Sequence, residues 1–251
     1  MALGDLIEEA IAGSGMRHDF QPLWDLRNGQ LLGFEALARF RDGTPPDRVW
    51  SVARAQGMGV ALDRVSARAA LAAGAHLPGR LFVNLSAATL AAPATARYGK
   101  DMVRSRRHRR LVLEITEDAV HASERVETRI RQLLRARVPL ALDDAGSGSA
   151  THERLALLAP DLAYVKIDRA VVQAWLLTGR GPLPLWVSWA TEICTPCIAE
   201  GVEDPDAASY LLRAGIAYGQ GFAFGAPAPA ASWDRQRLAR AQPCPHVTFS
   251  G

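Results

Sequence analysis

The sequence contains few cysteines and few lysines. Its three cysteines, Cys194, Cys197 and Cys244, are too few for a disulfide framework and favour a reducing cytoplasm. Cys194 and Cys197 have the spacing of a redox motif, but no thioredoxin-like pattern surrounds them, so we expect buried, inert thiols. Only Lys100 and Lys166 represent lysine in a chain with 29 basic residues, so a lysine inside a motif is informative.

Long apolar runs are also missing. No segment approaches the roughly 18 residues that a membrane-spanning helix needs. The first 16 residues are acidic and amphipathic, without the basic start and apolar core of a signal peptide. We therefore expect a soluble, cytoplasmic protein without membrane insertion.

The excess of positive charge is small. A net charge of +3 does not argue for a nucleic-acid partner. The arginine-rich run at residues 104–110 has no interleaved aromatic residues, and we interpret it as a solvated face. With 49% hydrophobic and 22% charged residues over 251 positions and no change in composition along the chain, the sequence predicts a single globular domain, residues 1–251.

Short apolar segments recur along the chain and predict strands. Asn28-Gly29 separates the first two, which indicates a hairpin. From the third segment onward, strands alternate with amphipathic helices, as in an eight-stranded α/β barrel. The eight candidate strands are residues 20–26, 30–39, 80–86, 111–117, 139–144, 162–168, 196–200 and 216–221.

Polar residues follow the apolar part of nearly every predicted strand. In a barrel of this kind the carboxyl ends of the strands meet on one face, where the active site lies. One such residue alone is more simply a loop-facing polar group, but a set in phase around one barrel predicts a site. The set is Glu35, Asn84, Glu114, Asp143, Asp144, Lys166, Glu200 and Gln220.

Carboxylates dominate this predicted site. Several acids in one cleft cannot all stay ionised without compensation, and hard divalent cations such as Mg²⁺ or Mn²⁺ provide it. The neighbours Asp143 and Asp144 would allow one carboxylate to bridge two metals. Two metals together are the apparatus for attack of water on a phosphodiester, although this reasoning names no substrate.

An ordered set of motifs resembles the EAL domain family, phosphodiesterases that convert cyclic di-GMP to linear pGpG. The resemblance implies a modified TIM (β/α)8 barrel with an antiparallel first strand and a core at about residues 17–230. The motifs are Phe20-Gln21-Pro22, Gly33-Phe34-Glu35-Ala36-Leu37-Ala38-Arg39, Val83-Asn84-Leu85-Ser86, Leu113-Glu114-Ile115-Thr116-Glu117, Leu142-Asp143-Asp144, Val165-Lys166-Ile167-Asp168, Ala199-Glu200-Gly201-Val202-Glu203 and Gly219-Gln220-Gly221-Phe222.

The resemblance also implies two divalent cations, Mg²⁺ or Mn²⁺, with Ca²⁺ expected to inhibit. One metal would be bound by Glu35, Asn84, Glu114 and Asp143. The second would be bound by Asp143, Asp144 and Glu200, partly through water. A homodimer is expected on the same ground.

Catalytic and substrate-binding roles follow from the resemblance as well. Glu35, Lys166, Glu117 and Gln220 would be the catalytic group. Lys166 would activate or orient the attacking water, Gln220 would position that region by hydrogen bonding, and Glu117 would brace the loop after Asp144. Gln21, Leu37, Arg39 and Asp144 would contact the substrate, with Arg39 at a phosphate and Gln21 and Leu37 near a guanine. Glu203 would support the site.

The chain departs from the family pattern after the fifth strand. The family usually has Asp-Asp-Phe-Gly-Thr-Gly, whereas this chain has Asp143-Asp144-Ala145-Gly146-Ser147-Gly148. The change removes an apolar anchor but no ligand, so a non-catalytic cyclic di-GMP receptor remains the alternative to an enzyme. A barrel hydrolase for another phosphodiester is the third hypothesis. Trp186 and Trp189 occupy a second unusual segment and indicate helix packing or a partner surface.

Overall fold

The computed structural model describes residues 2–93, 110–116, 120, 122–147 and 162–243. In these ranges each of the eight predicted strands is present, together with a ninth of two residues that the sequence did not predict. The strands are β1 Met16–Asp25, β2 Leu31–Phe40, β3 Arg80–Asn84, β4 Leu111–Thr116, β5 Leu140–Ala145, β6 Tyr164–Ile167, β7 Cys197–Ala199, β8 Tyr218–Gln220 and β9 Ala228–Pro229.

From β3 onward the described helices alternate with strands, as the sequence predicted. The helices are α1 Leu3–Ile11, α2 Pro46–Ala55, α3 Gly59–Ala73, α4 Ala87–Ala91, α5 Glu124–Arg135, α6 Arg169–Thr178, α7 Leu183–Glu192, α8 Ala207–Arg213 and α9 Arg235–Ala241. The short helix α4 was not expected. The sequence pattern also predicts helices within residues 93–107 and 152–158, which lie outside the described residues. None of the described helices is long and apolar enough to cross a membrane.

The strands close into a barrel of eight. Neighbours follow the order β2-β3-β4-β5-β6-β7-β8-β1-β9, and β1 also pairs with β2. Strand β1 is antiparallel to both β2 and β8, whereas the pairs from β2 to β8 are parallel. This arrangement confirms the modified TIM barrel with an antiparallel first strand.

Apolar side chains fill the barrel and the layer between strands and helices. The interior cluster contains Leu23, Phe82, Val112, Ala141 and Ile198, each fully buried, together with Tyr164. Burying a large apolar side chain of this kind contributes about 1.5–3 kcal/mol. A separate cluster joins α1, α2 and α3 to the end of β2, so the first helix is docked beside the hairpin.

The expectation of two buried, inert thiols is wrong for one cysteine. Cys197 is 3% exposed on β7, and burial raises the pKa of its thiol to about 12. Cys194 is exposed, and its backbone has a left-handed conformation with φ 54°. Its N–H donates to Thr191, and the N–H of Thr195 donates to Ala190. These are the two bonds of a Schellman motif, which turns the chain at the surface and places Cys194 in solvent.

Trp186 and Trp189 pack inside the molecule. They are 4% and 6% exposed, and their rings meet edge to face with centroids 5.6 Å apart. Helix packing therefore accounts for both tryptophans. Of the arginine-rich run, only Arg110 lies in the described ranges, where it donates to the carbonyls of Ala75, Leu77 and Gly79.

Candidate active site

Lys166 lies at the centre of a cluster of four carboxylates at the carboxyl end of the barrel. Its ammonium is 3.3 Å from Glu35, 2.7 Å from Glu114, 2.8 Å from Asp143 and 2.7 Å from Glu200. Strands β2, β4, β5 and β6 supply the first three acids and the lysine, and Glu200 directly follows β7. The structure thus brings together residues that are up to 165 positions apart, as the strand-end pattern predicted.

An irregularity in β5 presents two successive acids to this cluster. In a regular strand, consecutive side chains point to opposite faces of the sheet. Here the pairing of β5 with β6 shifts between Leu142 and Ala145, and Asp144 takes a left-handed conformation with φ 56°. Aspartate tolerates this conformation better than most residues. Asp143 and Asp144 can therefore both reach toward Glu200.

The carboxylates form two groups of metal-binding geometry that share Asp143. One is Glu35, Glu114 and Asp143, and the other is Asp143, Asp144 and Glu200, with the ligand oxygens of each group within 4.8 Å of one another. Oε2 of Glu114 is buried without a hydrogen-bond partner, so it is available as a ligand. A set of oxygen donors of this kind fits a hard divalent cation.

Amide side chains orient the cluster from two sides. Asn84, at the end of β3, donates from Nδ2 to Oε1 of Glu35 at 3.2 Å. Gln220, at the end of β8, donates from Nε2 to Oε2 of Glu35 at 2.7 Å and to Oε1 of Gln21 at 3.0 Å. Both oxygens of Glu35 are therefore fixed by hydrogen bonds, and Gln21 is joined to the cluster through Gln220.

Burial and mutual repulsion favour the neutral forms of the acids. Burial, aided by Glu35, raises the pKa of Glu114 well above its usual value, and burial likewise raises the pKa of Asp143. The same causes raise the pKa of Glu200 to about 8 and that of Asp144 to about 6. Each of these acids would gain from a further nearby positive charge.

The surroundings of Lys166, in contrast, favour its charged form. Burial alone would lower the pKa of Lys166, but the surrounding carboxylates outweigh it and hold the pKa well above its usual value. With 1% of its side chain exposed, Lys166 is a buried ammonium that donates hydrogen bonds. It is the main internal counter-charge in the described part of the cluster.

The predicted substrate-contact residues lie beside the cluster on the β1–β2 hairpin. Gln21 is opposite Glu35, and Leu37 is opposite Asp19. Directly opposite residues of an antiparallel pair share one face of the sheet. Arg39 is held by its Nε, which donates to Oδ2 of Asp19 at 3.1 Å. The hairpin therefore presents an amide, an apolar side chain and a guanidinium on one side.

Sequence reasoning missed two residues that line the cleft over Glu35, Glu200 and Gln220. Phe222 is 65% exposed and Arg169 pairs with Glu203 at the cleft's edge. The stem of Arg169 lies so close to Gly201 that a Cβ there would come within 2.2 Å of it. Phe222 is the last residue of the quoted motif Gly219-Gln220-Gly221-Phe222, where it had no assigned role, and Arg169 follows the motif that ends at Asp168, so their positions were the available signal. Glu117 lies outside the described residues, as does the loop from Gly148.

Comparison with known proteins relates the chain to one family. The EAL domain model matches residues 5–227. An uncharacterized signaling protein of Caulobacter vibrioides is 33% identical over 89% of this chain and 29% of its own length. The probable cyclic di-GMP phosphodiesterase PdeB of Escherichia coli is 26% identical over 92% of this chain and 47% of its own length. The chain therefore spans less than half the length of these two relatives.

Solved structures share the fold. The PaMucR phosphodiesterase in complex with c-di-GMP is 25% identical, with a TM-score of 0.79 over 92% of this chain and 99% of that chain. Klebsiella pneumoniae BlrP1, solved with manganese and c-di-GMP, is 22% identical, with a TM-score of 0.72 over 87% of this chain and 57% of that chain. Because the family match covers most of the sequence, the chain belongs to the EAL domain family.

Proposed function

We propose that this chain is a metal-dependent phosphodiesterase that hydrolyses cyclic di-GMP to linear pGpG. The observation that carries the proposal is the pair of carboxylate groups sharing Asp143. A phosphodiester is attacked in line by water, and charge develops on both the attacking and the leaving oxygen. A pair of adjacent cation sites suits that distribution of charge, and the names of PdeB and PaMucR point to the same substrate.

The first cation would be held by Glu35, Asn84, Glu114 and Asp143, and the second by Asp143, Asp144 and Glu200. When bound, the two cations lower the pKa of water and stabilise charge on the phosphate oxygens. BlrP1 was solved with manganese, which supports Mn²⁺ or Mg²⁺ here. Ca²⁺ takes more ligands at longer distances than Mg²⁺, so we expect it to bind and to inhibit.

Lys166 would act as a donor in this reaction. Its Nζ contacts the carboxylates of Glu114, Asp143 and Glu200, so Lys166 would hold the attacking water by a hydrogen bond beside the proposed cations. Gln220, hydrogen-bonded to Glu35 and Gln21, would hold the hairpin in place beside the acidic cluster. Glu117 remains a predicted catalytic residue.

The hairpin would hold the substrate. A guanidinium provides a planar donor fork that matches a phosphate, and Arg39 is held at one end by Asp19 with its side chain 32% exposed. Gln21 and Leu37 would lie near a guanine, the first by hydrogen bonding and the second by apolar contact. Asp144, which lies beside Asp143 and Glu200, would contribute to both metal and substrate binding.

Nucleotide chromatography after incubation with cyclic di-GMP tests the proposal. The protein is incubated with Mg²⁺, Mn²⁺, Ca²⁺ or a chelator, beside Glu35→Ala and the surface control Glu127→Gln. We expect pGpG with Mg²⁺ or Mn²⁺ from the unaltered protein and the control, and none from Glu35→Ala. If cyclic di-GMP stays intact under all conditions but binds with micromolar affinity, the proposed enzyme activity is refuted and the chain is a cyclic di-GMP receptor.

We also propose that the chain forms a homodimer in a reducing, cytoplasmic setting. The support for the dimer is the family relationship alone. Sedimentation equilibrium of the purified chain tests it, and a single species of 27.1 kDa at micromolar concentration would contradict it.

A further inference from the structure

A buried carboxylate outside the acidic cluster is bonded to the loop that carries Asn84. Asp63 lies on α3 and is 5% exposed. Its Oδ1 accepts a hydrogen bond from Nε1 of Trp50 on α2, at 2.5 Å. Its Oδ2 accepts from the hydroxyls of Ser86 and Thr89, the latter at 2.5 Å, and from the N–H of Ser86 at 3.3 Å.

The two oxygens of Asp63 therefore serve different parts of the fold. Oδ1 joins helices α2 and α3. Oδ2 accepts two hydrogen bonds from Ser86, between β3 and α4, and one from Thr89 on α4. A carboxylate accepts several hydrogen bonds and donates none, whereas an amide would direct an NH₂ or a single carbonyl toward these donors. A charged acceptor also forms stronger hydrogen bonds than a neutral one.

Ser86 follows Asn84 by two residues. Between them, the N–H of Leu85 donates to the carbonyl of Glu114 at 2.9 Å. On the other side, Asn84 donates to Glu35 at 3.2 Å. The segment from Asn84 to Ser86 is thus fixed to the acidic cluster at one end and to Asp63 at the other.

We propose that Asp63 is a positioning residue, which holds the β3–α4 segment so that the amide side chain of Asn84 stays beside Glu35 at the proposed metal site. The inference rests on the proposed metal site but not on turnover. Asp63 touches neither the cluster nor the cleft, and its effect on metal binding passes through Ser86 and Asn84.

Calorimetric titration of the metal-free protein with Mn²⁺ tests the proposal. Asp63→Asn and Ser86→Ala disturb the Oδ2 side, and we expect each to weaken Mn²⁺ binding by about ten-fold, the size of one modest ligand contact. Trp50→Phe removes only the bond to Oδ1. Trp50→Phe should lower the urea midpoint as the other variants do, but leave the Mn²⁺ affinity within about two-fold. A purely structural role of Asp63 would not separate stability from Mn²⁺ affinity in this way.

The double variant Asp63→Asn with Asn84→Ala gives the sharpest comparison. If Asp63 acts through Asn84, the double variant binds Mn²⁺ no more weakly than Asn84→Ala alone. Additive losses, an equal loss in Trp50→Phe, or no Mn²⁺ binding by the unaltered protein would overturn the inference.

If Asp63→Asn does not fold, Thr89→Val replaces it. Chromatography of cyclic di-GMP is scored separately, so binding of Mn²⁺ without hydrolysis would refute the proposed function and leave this inference standing.

Discussion

The ammonium of Lys166 lies 2.7 Å from Oε1 of Glu114, and the two side chains are 1% and 0% exposed. Three other carboxylates contact the same ammonium. Removing one partner of a buried ion pair is costly because it leaves an uncompensated charge. In the absence of a metal ion, Lys166 is therefore the charge that holds the acids of this cluster together.

Lys166→Met should destabilise the metal-free protein by about 3–5 kcal/mol, the cost of an uncompensated buried charge. Mn²⁺ should raise the melting temperature of this variant more than that of the unaltered protein, because the cation replaces the lost charge. Turnover of cyclic di-GMP should fall by about 10²–10³-fold, as for loss of one preorganised hydrogen-bond donor. Arg131→Met, which removes a surface pair with Glu127, is the control. Equal melting temperatures for the two metal-free variants would refute the prediction.

Arg39→Lys should raise KM for cyclic di-GMP by about ten-fold and change kcat little, because a single ammonium replaces a planar donor fork. Steady-state kinetics with Mn²⁺ measures both constants. Arg41→Lys, two residues further along and paired with Glu9, should leave them unchanged. A fall in kcat at constant KM would instead mean that Arg39 stabilises the transition state.

His18 predicts a loss of stability in mild acid. Its imidazole bonds to Ser66 at 3.0 Å, and burial, aided by Arg39, lowers its pKa to about 4. The unfolded chain takes up this proton near pH 6.5 and the folded chain only near pH 4. The contribution of His18 to the free energy of unfolding is therefore fully present above about pH 6.5. It falls by about 3 kcal/mol as the pH decreases to about 4.

Urea unfolding at a series of pH values measures this contribution as the difference between the unaltered protein and His18→Gln. The difference should grow in favour of the variant as the pH falls from 6.5 to 4. A constant difference across this range would show that His18 makes no pH-dependent contribution.

Gly146→Ala should be more destabilising than Gly13→Ala. The two glycines have φ 95° and φ 93°, so an alanine pays a similar backbone cost of about 1–2 kcal/mol at each. A Cβ at Gly13 meets nothing within 4 Å, whereas at Gly146 it lies 2.8 Å from Nε1 of Trp186 and 2.9 Å from Val171. That overlap adds about 1–3 kcal/mol. Equal urea midpoints for the two variants would refute the close packing of Trp186 on this turn.

Periodicity and strand-end chemistry predicted the barrel, the hairpin and the convergence of Glu35, Glu114, Asp143, Lys166 and Glu200. They could not predict how the acids are arranged. Asp144 lies near Glu200 because the pairing of β5 with β6 shifts at this point. The regular alternation of a strand would turn the Asp144 side chain to the other face of the sheet, and no local sequence propensity predicts the shift. Asp63 was invisible for a related reason, since its partners at Trp50, Ser86 and Thr89 are close only after folding.

The reversed direction of β1 also determines where the polypeptide enters the barrel. Met16, the first residue of β1, pairs with Phe40, the last residue of β2. Helix α1 packs against Phe40 in the same cluster as α2 and α3. The polypeptide therefore enters β1 at the carboxyl end of β2, beside Arg39 and ahead of Asp19 and Gln21.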